Sequence, residues 1–481
     1  MTISRRGETN VSAGKEIQAA GDESPEQNEE KVEYSTVIVR GEEDEKPEDI
    51  TPDGGLIAWL QVLGSFALYF NTWGIINTFG VFQTYYSTDL LSHMSPSAIS
   101  WIGSTQSFFL LVIGVISGPL YDAGRLRLLL GMGATLTVVG LMLTSIAAEY
   151  WHVVLAQAVC VGTGAGCLYV PSLAIIPQWF RRRKALALGL VTSGSSFGGV
   201  VYSLMFQGLQ PRIGFGWAAR IMGFVSLATL TIPLIVLRKR TPSNTTTTTI
   251  TTAAPTAAAV KISRGGSSSG GGIGSGGIRT LLDLDAFRER PYVIYCAAMA
   301  LSMLGFFAPV FYLQTYALAH GLGGQPELAL HLVAILNAAS VPGRIAPSFV
   351  ASRIGPTHAL FLGVLLTGVS VLGWVDTRAG WGSVAFAAAF GFFSGGIVAL
   401  PAVVLTSFTK DLSRLGTRLG MSASFNAVCS LIGAPIAGAI MRATGSYLGI
   451  QLFSGVLFMA TALLILALRF AITGGKWFAK A

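Results

Sequence analysis

Charge is scarce in this chain. Only 12% of its 481 residues are Asp, Glu, Lys or Arg, against roughly 25% in soluble domains, while hydrophobic residues make up 52% and mean hydropathy is +0.60. A water-facing surface cannot be assembled from so few polar groups, which excludes an ordinary soluble protein. Cysteine is also sparse. Cys160, Cys167, Cys296 and Cys429 all fall inside apolar stretches, where a thiol behaves as a small buried hydrophobe. The five histidines, His93, His152, His320, His331 and His358, show no HxxxH or Cys/His spacing, which argues against a metal site. No GxxxxGK[ST] loop is present to bind ATP, and no cofactor is expected, so any transport must draw on a gradient. The start of the chain has no basic n-region followed by a short apolar core and a small-residue cleavage site, so no removable signal peptide is expected.

What the chain does have is apolar length. About 30 Å of hydrocarbon is crossed by roughly 20 apolar residues in a helix, because every backbone N–H and C=O must be satisfied within the segment. Twelve stretches qualify: 56–82, 98–120, 128–148, 151–176, 185–207, 216–237, 291–318, 328–350, 357–375, 380–407, 417–441 and 445–470. Residues 1–52 are different material. Acidic residues crowd them, with a run from Glu42 to Glu45, and such a composition cannot bury enough apolar surface to order itself. A second break at 241–285 carries Thr245 to Thr249 and a Gly/Ser run from Gly265 to Gly277, the composition of a flexible coil. The expected organisation is an acidic tail (1–52), a six-helix bundle (53–240), a linker (241–285), a second six-helix bundle (286–473) and a short tail (474–481).

Basic residues fall in alternate gaps. Arg125 and Arg127, Arg181 to Lys184, the cluster from Arg238 to Arg290, Arg353, and Lys410, Arg414 and Arg418 share one side, whereas the opposite gaps offer little beyond Arg212, Arg378 and Arg442. The positive-inside rule puts the first set, both termini and the linker in the cytosol. The net charge of +8 is then a topology signal and calls for no nucleic acid. The halves also echo each other. Gly118-Pro-Leu-Tyr-Asp122-Ala-Gly124-Arg125 after the second span is matched by the stretch from Gly343 to Ser352-Arg353-Ile-Gly355 after the eighth. The basic loop Arg181 to Lys184 is matched by Arg414-Leu-Gly-Thr-Arg418. Parallel repeats about an axis normal to the membrane follow, and such halves can rock around a central cavity. The 58 glycines exceed the roughly 7% average and cluster at 162–166, 194–199 and 391–396, where they let helices approach and slide.

Six plus six helices with the Asp122/Gly124/Arg125 turn resemble the major facilitator superfamily. More narrowly, Pro52-Asp53-Gly54-Gly55 leading to Trp59, with Trp179-Phe180-Arg181-Arg182-Arg183-Lys184 and Gly189 and Gly194 in the fifth span, resemble the monocarboxylate porter family. Trp217-Ala218-Ala219-Arg220 with Gly223-Phe224 is similar to its fungal branch. The resemblance implies an all-α membrane protein of two pseudo-symmetric six-helix bundles that carries a small organic solute by alternating access. The implied setting is a fungal plasma membrane, with the bilayer and the solute as partners and a monomer as the working unit. The chain departs from the family where its proton and carboxylate chemistry sits. The first-span Lys position falls on Asn77, or on Ile76 in an alternative alignment, and the eighth-span Asp and Arg positions fall on Asn337 and Val341. An amide and an alkyl group cannot exchange a proton near neutrality, so proton coupling is left open. The family's fungal branch includes riboflavin carriers and exporters of secondary metabolites.

One charge remains deep in the membrane. Arg344 lies about five residues, roughly 7 Å, past the middle of its span, and an unpaired Arg there costs several kcal/mol. Asn337, Val341 and Arg344 share one helix face. Arg344 is either a cationic anchor for an anionic or carbonyl-bearing solute, or a gate residue bonded to carbonyls or to the Asp122 region. Trp73, Asn77, Tyr169, Gln314 and Asn426 are further candidate solute contacts, each with an alternative role as interhelical glue. At the basic face Asp122, Arg125, Arg182, Arg183 and Arg353 are candidate gating residues, and Ser352 in place of a second acid makes the expected latch lopsided. No His/Asp/Ser constellation or carboxylate pair lies at membrane depth, so no enzyme is expected. A transporter-like nutrient sensor without net flux is the alternative to a carrier.

Overall fold

A computed structural model of the chain describes residues 53–181, 183–239, 283–320, 326–376, 380–409 and 415–474, all of them within one compact unit, Asp49–Ala481. The acidic tail, nearly all of the linker and the C-terminal tail lie outside the described residues. Among the described residues every regular element is helical.

The first span, α1 (56–85), is built from three helical pieces, Leu56–Asn71, Trp73–Asn77 and Phe79–Tyr85. It bends at Thr72 (φ −91°, ψ −84°) and again at Thr78, whose hydroxyl donates to Gly74 O at 2.9 Å, a back-bond that tends to bend helices. After it come α2 (Pro96–Asp122), α3 (Leu126–Thr144) and α4 (Tyr150–Gln178). A π-helical stretch, Val154–Val161, lies within α4. The helical stretch that follows covers Lys184–Val236 and contains one non-helical residue, Gly214. Its 53 residues would reach about 80 Å at 1.5 Å per residue, far beyond the hydrocarbon. Gly214, at φ 79° and ψ 165°, is the corner that divides it into α5 (184–213) and α6 (215–236). Only glycine reaches that conformation without strain. Both outer ends of this hairpin return to one place: Lys239, just past α6, donates to Tyr121 O, and Gln178, just before α5, donates to Tyr121 Oη.

The second half comprises α7 (Arg290–Ala319), α8 (Pro326–Ile354), α9 (Pro356–Gly373), α10 (Trp381–Phe408, broken at Leu400), α11 (Leu415–Thr444) and α12 (Leu448–Thr473). Among the described residues ten helices are long and apolar enough to cross a membrane. Dividing one of them at Gly214 makes eleven, and the broken α1 makes twelve, the count expected from the sequence.

The packing is inverted relative to a water-soluble protein. Large apolar side chains such as Ile235 (73% exposed) and Leu463 (67%) point outward, while Gln61, Asn71, Gln106, Gln157 and Gln451 are buried. The halves meet along two seams, α2 against α11 and α5 against α8. At the end opposite the basic loops they close tightly. Phe79 of α1 and Phe311 of α7 stand 4.7 Å apart, Ser100 Oγ of α2 shares a 2.5 Å hydrogen bond with Tyr312 Oη of α7, and Ser97 donates to Pro435 O of α11. Gly438 lies so close that a Cβ there would stand 2.7 Å from Ser97 Cα.

Candidate functional site

Toward the basic side of the midplane α1, α4, α5 and α8 bring together three rings and one cation. Tyr69 and Trp73 lie four residues apart on α1, so they share a face. Tyr169 of α4 stands against both, its ring 6.2 Å from Tyr69 and 6.1 Å, edge-on, from Trp73. Arg344 is 3% exposed, and Tyr69 lies within electrostatic reach of it. Its Nη1 donates across the seam to Thr192 O at 2.8 Å and to Ser195 Oγ at 2.5 Å, both on α5, and its Nε to Ser340 Oγ at 3.3 Å on its own helix. Among the described residues no carboxylate pairs with it and Nη2 makes no hydrogen bond. Low-dielectric surroundings strengthen its interactions, so the site can hold an anion or a carbonyl beside aromatic faces. No group of His, Cys, Asp or Glu able to hold a metal occurs among the described residues.

The other candidate contacts are more dispersed. Asn337 is buried seven residues before Arg344, its amide donating to Val333 O at 2.9 Å and packing against Gly199 of α5. Asn77 is buried toward the sealed end with no side-chain hydrogen bond among the described residues. Gln314 lies farther still, about nine residues or 14 Å beyond the middle of α7. Its Oε1 is buried without a partner among the described residues, and it does not join the Arg344 group. Asn426 of α11 is half-buried, its Oδ1 likewise unpartnered. Asn71 is glue: it donates to Ala67 O and Thr229 Oγ1 of α6, and accepts from Tyr202 Oη of α5, at 2.7–2.8 Å.

At the basic end Arg125, Arg183 and Arg353 are exposed and form no ion pair among the described residues. Arg182 and the side chain of Asp122 lie outside the described residues. The organised charge there is a different one, Arg418 at the start of α11. Its Nη1 and Nη2 grip Glu289 at 2.9 and 2.6 Å, and its Nε reaches Asp283 at 3.1 Å. This fork ties α11 to the segment leading into α7. In the first half Asp53 Oδ1 accepts from the Arg181 backbone N–H at 2.5 Å. Sequence reasoning missed Tyr69, Thr192, Ser195 and the carboxylate partners of Arg418. Tyr69 alone gave a signal, its four-residue spacing from Trp73.

Comparison with known proteins agrees with this architecture. A profile of the Major Facilitator Superfamily matches residues 61–386. The chain belongs to the Major Facilitator Superfamily. Its relatives in that superfamily include the MFS-type transporter dbaD of Emericella nidulans, 38% identical over 415 residues and 86% of each chain. The Aspyridones efflux protein apdF of the same organism is 33% identical over 409 residues, covering 85% of this chain and 77% of that one. The MFS-type transporter opdF of Penicillium oxalicum is 32% identical over 425 residues, covering 88% and 92%. This facilitator is therefore a multi-pass membrane transporter and not an enzyme. The relatives are fungal transporters, and none of these three names specifies a monocarboxylate.

Proposed function

We propose that this facilitator works by alternating access and moves a small organic solute with an anionic or carbonyl group, of the secondary-metabolite kind, out of a fungal cell across the plasma membrane, with both termini cytosolic. The observation that carries the reading is Arg344: a buried cation that touches both halves through neutral oxygens only beside the ring faces of Tyr69, Trp73 and Tyr169. A charge in that position is expensive unless it serves a bound partner. The efflux named for one relative supports the direction. The likeness of the Trp179 to Gly189 stretch to monocarboxylate porters supports an anion, while the amide at Asn337 and the alkyl group at Val341 argue against that family's proton pair. Asn337, Asn77 and Asn426 are secondary contacts in this reading. Arg125, Arg182, Arg183, Arg353 and Asp122 are gating groups.

Flux in liposomes containing only this protein separates a carrier from a sensor, since a sensor moves no solute unaided. A hydrogen bond to a charged group is worth about 1.5–3 kcal/mol, so Arg344→Gln is expected to raise KM for an anionic solute about 10- to 150-fold. Arg344→Lys is expected to recover part of the loss. Unchanged kinetics in both variants at equal protein level would dispose of the anchor.

A further inference from the structure

Arg344 poses a problem of charge balance. It sits about four residues, or 6 Å, to the basic side of the middle of α8. The neighbours facing it are Tyr69 from α1, Thr192 and Ser195 from α5, Ser340 and Ser348 from its own helix, and the Gly395 backbone from α10. Of these only Tyr69 titrates, and a phenol, with an ordinary pKa of about 10, keeps its proton near neutrality. A guanidinium does not lose its own in a protein. The site is a fixed positive charge.

A proton-coupled carrier needs a group that binds and releases a proton while facing each side in turn. This chain has 24 acidic residues, of which none stands within a span's interior. Fourteen precede residue 51 and the others lie in connections or at helix ends, the deepest being Asp122, last in α2, and Glu327, second in α8. Histidine is placed likewise. The deepest, His331, is the sixth residue of α8 and bonds to Gln207 at the sealed end. No proton carrier accompanies the anchor between the two openings.

We infer that this facilitator is an electrogenic uniporter of a planar organic monoanion, so that an inside-negative membrane itself drives the solute outward. The inference rests on the carrier reading given above. The empty core carries one positive charge and the loaded core none. Summed over a turnover, the charge that crosses is the single negative charge of the solute, and neither a proton nor a co-ion enters the balance. Planarity follows from the three rings, which offer faces and edges for stacking. One charge crossing about 100 mV is worth about 2.3 kcal/mol, equivalent to a concentration ratio of about 50-fold.

The full chain in liposomes, with valinomycin and potassium gradients to set the voltage, provides the test. Naphthalene-2-sulfonate is a suitable probe because it is planar and cannot be protonated, so it cannot follow a pH gradient as a weak acid. With the lumen about 100 mV positive, the sulfonate is expected to accumulate about 50-fold, to ignore a pH step of about one unit, and to lose saturable entry in Arg344→Gln and in protein-free vesicles. Accumulation that follows the pH step and ignores voltage would overturn the inference and leave the carrier reading standing. If neither the sulfonate nor 2-naphthoate enters saturably at any voltage, the anion site itself falls, and the inference with it.

Discussion

Replacing Tyr312 with phenylalanine removes one oxygen from the sealed end and leaves the ring in place. That oxygen shares a 2.5 Å hydrogen bond with Ser100 Oγ and lies 3.2 Å from Pro96 O, so both contacts run from α7 to α2 and exist only while the halves are together at this end. The variant orphans neither neighbour, because Ser100 already donates to Pro96 O at 2.8 Å. The single phenolic proton makes one such bond at a time, worth about 0.5–1.5 kcal/mol net, so closure weakens by that amount and the open population rises about 2- to 13-fold. Val333 of α8 is a suitable reporter. It is fully buried, and a Cβ on Gly80 of α1 would stand 3.4 Å from its Cγ2, so a cysteine there meets reagent only when the halves part. In a background with the four native cysteines changed to alanine, the Val333→Cys protein is labelled with maleimide, with and without Tyr312→Phe. When opening outpaces labelling, the rate follows the open population. A rate equal to the parent's, for Tyr312→Phe and for Ser100→Ala alike, would show that these bonds do not hold the seal.

Asn71→Ala removes the group that joins α1 to α5 and α6 and leaves the Tyr202 hydroxyl buried without its acceptor. It is expected to lower stability by about 1–3 kcal/mol, read as a lower melting temperature in detergent, with KM for solute unchanged; a shifted KM at parental stability would make Asn71 a solute contact instead. Arg418→Gln removes one ion-pair partner from Asp283, whose side chain is 7% exposed. The loss should come to about 3 kcal/mol, the lower end for breaking a buried pair, because Glu289 on the other arm is 45% exposed. A melting temperature equal to the parent's would mean that the fork contributes little to folding.

The spans were legible because a bilayer asks one thing of a sequence, a sufficient run of apolar residues. The expected stretch 98–120 is α2 at Pro96–Asp122 and the stretch 357–375 is α9 at Pro356–Gly373. Apolar length says nothing about bends, so α1 was expected as one piece and is three. The gap expected between the fifth and sixth spans is nearly all helical, with the turn confined to Gly214. Arg344 stood out in the sequence because a lone charge in an oily run is rare. Its acceptors Thr192 and Ser195 did not, since serine and threonine in a membrane helix commonly serve packing. The fork at Arg418 was hidden for a different reason: Asp283 and Glu289 stand 135 and 129 residues away in the chain, and no local pattern encodes a pairing across that distance. Tyr312 and Ser100, separated by 212 residues, were hidden in the same way.

Arg344 grips α5 from α8, so its hydrogen bonds straddle the boundary along which the two bundles must slip. An anion that claims the guanidinium competes with Thr192 and Ser195 for the same N–H groups, and so weakens the clasp between the bundles as it settles. Grip and speed are then antagonists. A solute that clings hard frees the boundary readily but departs slowly, one that clings weakly departs readily but seldom frees it, and throughput peaks for cargo of intermediate tenacity.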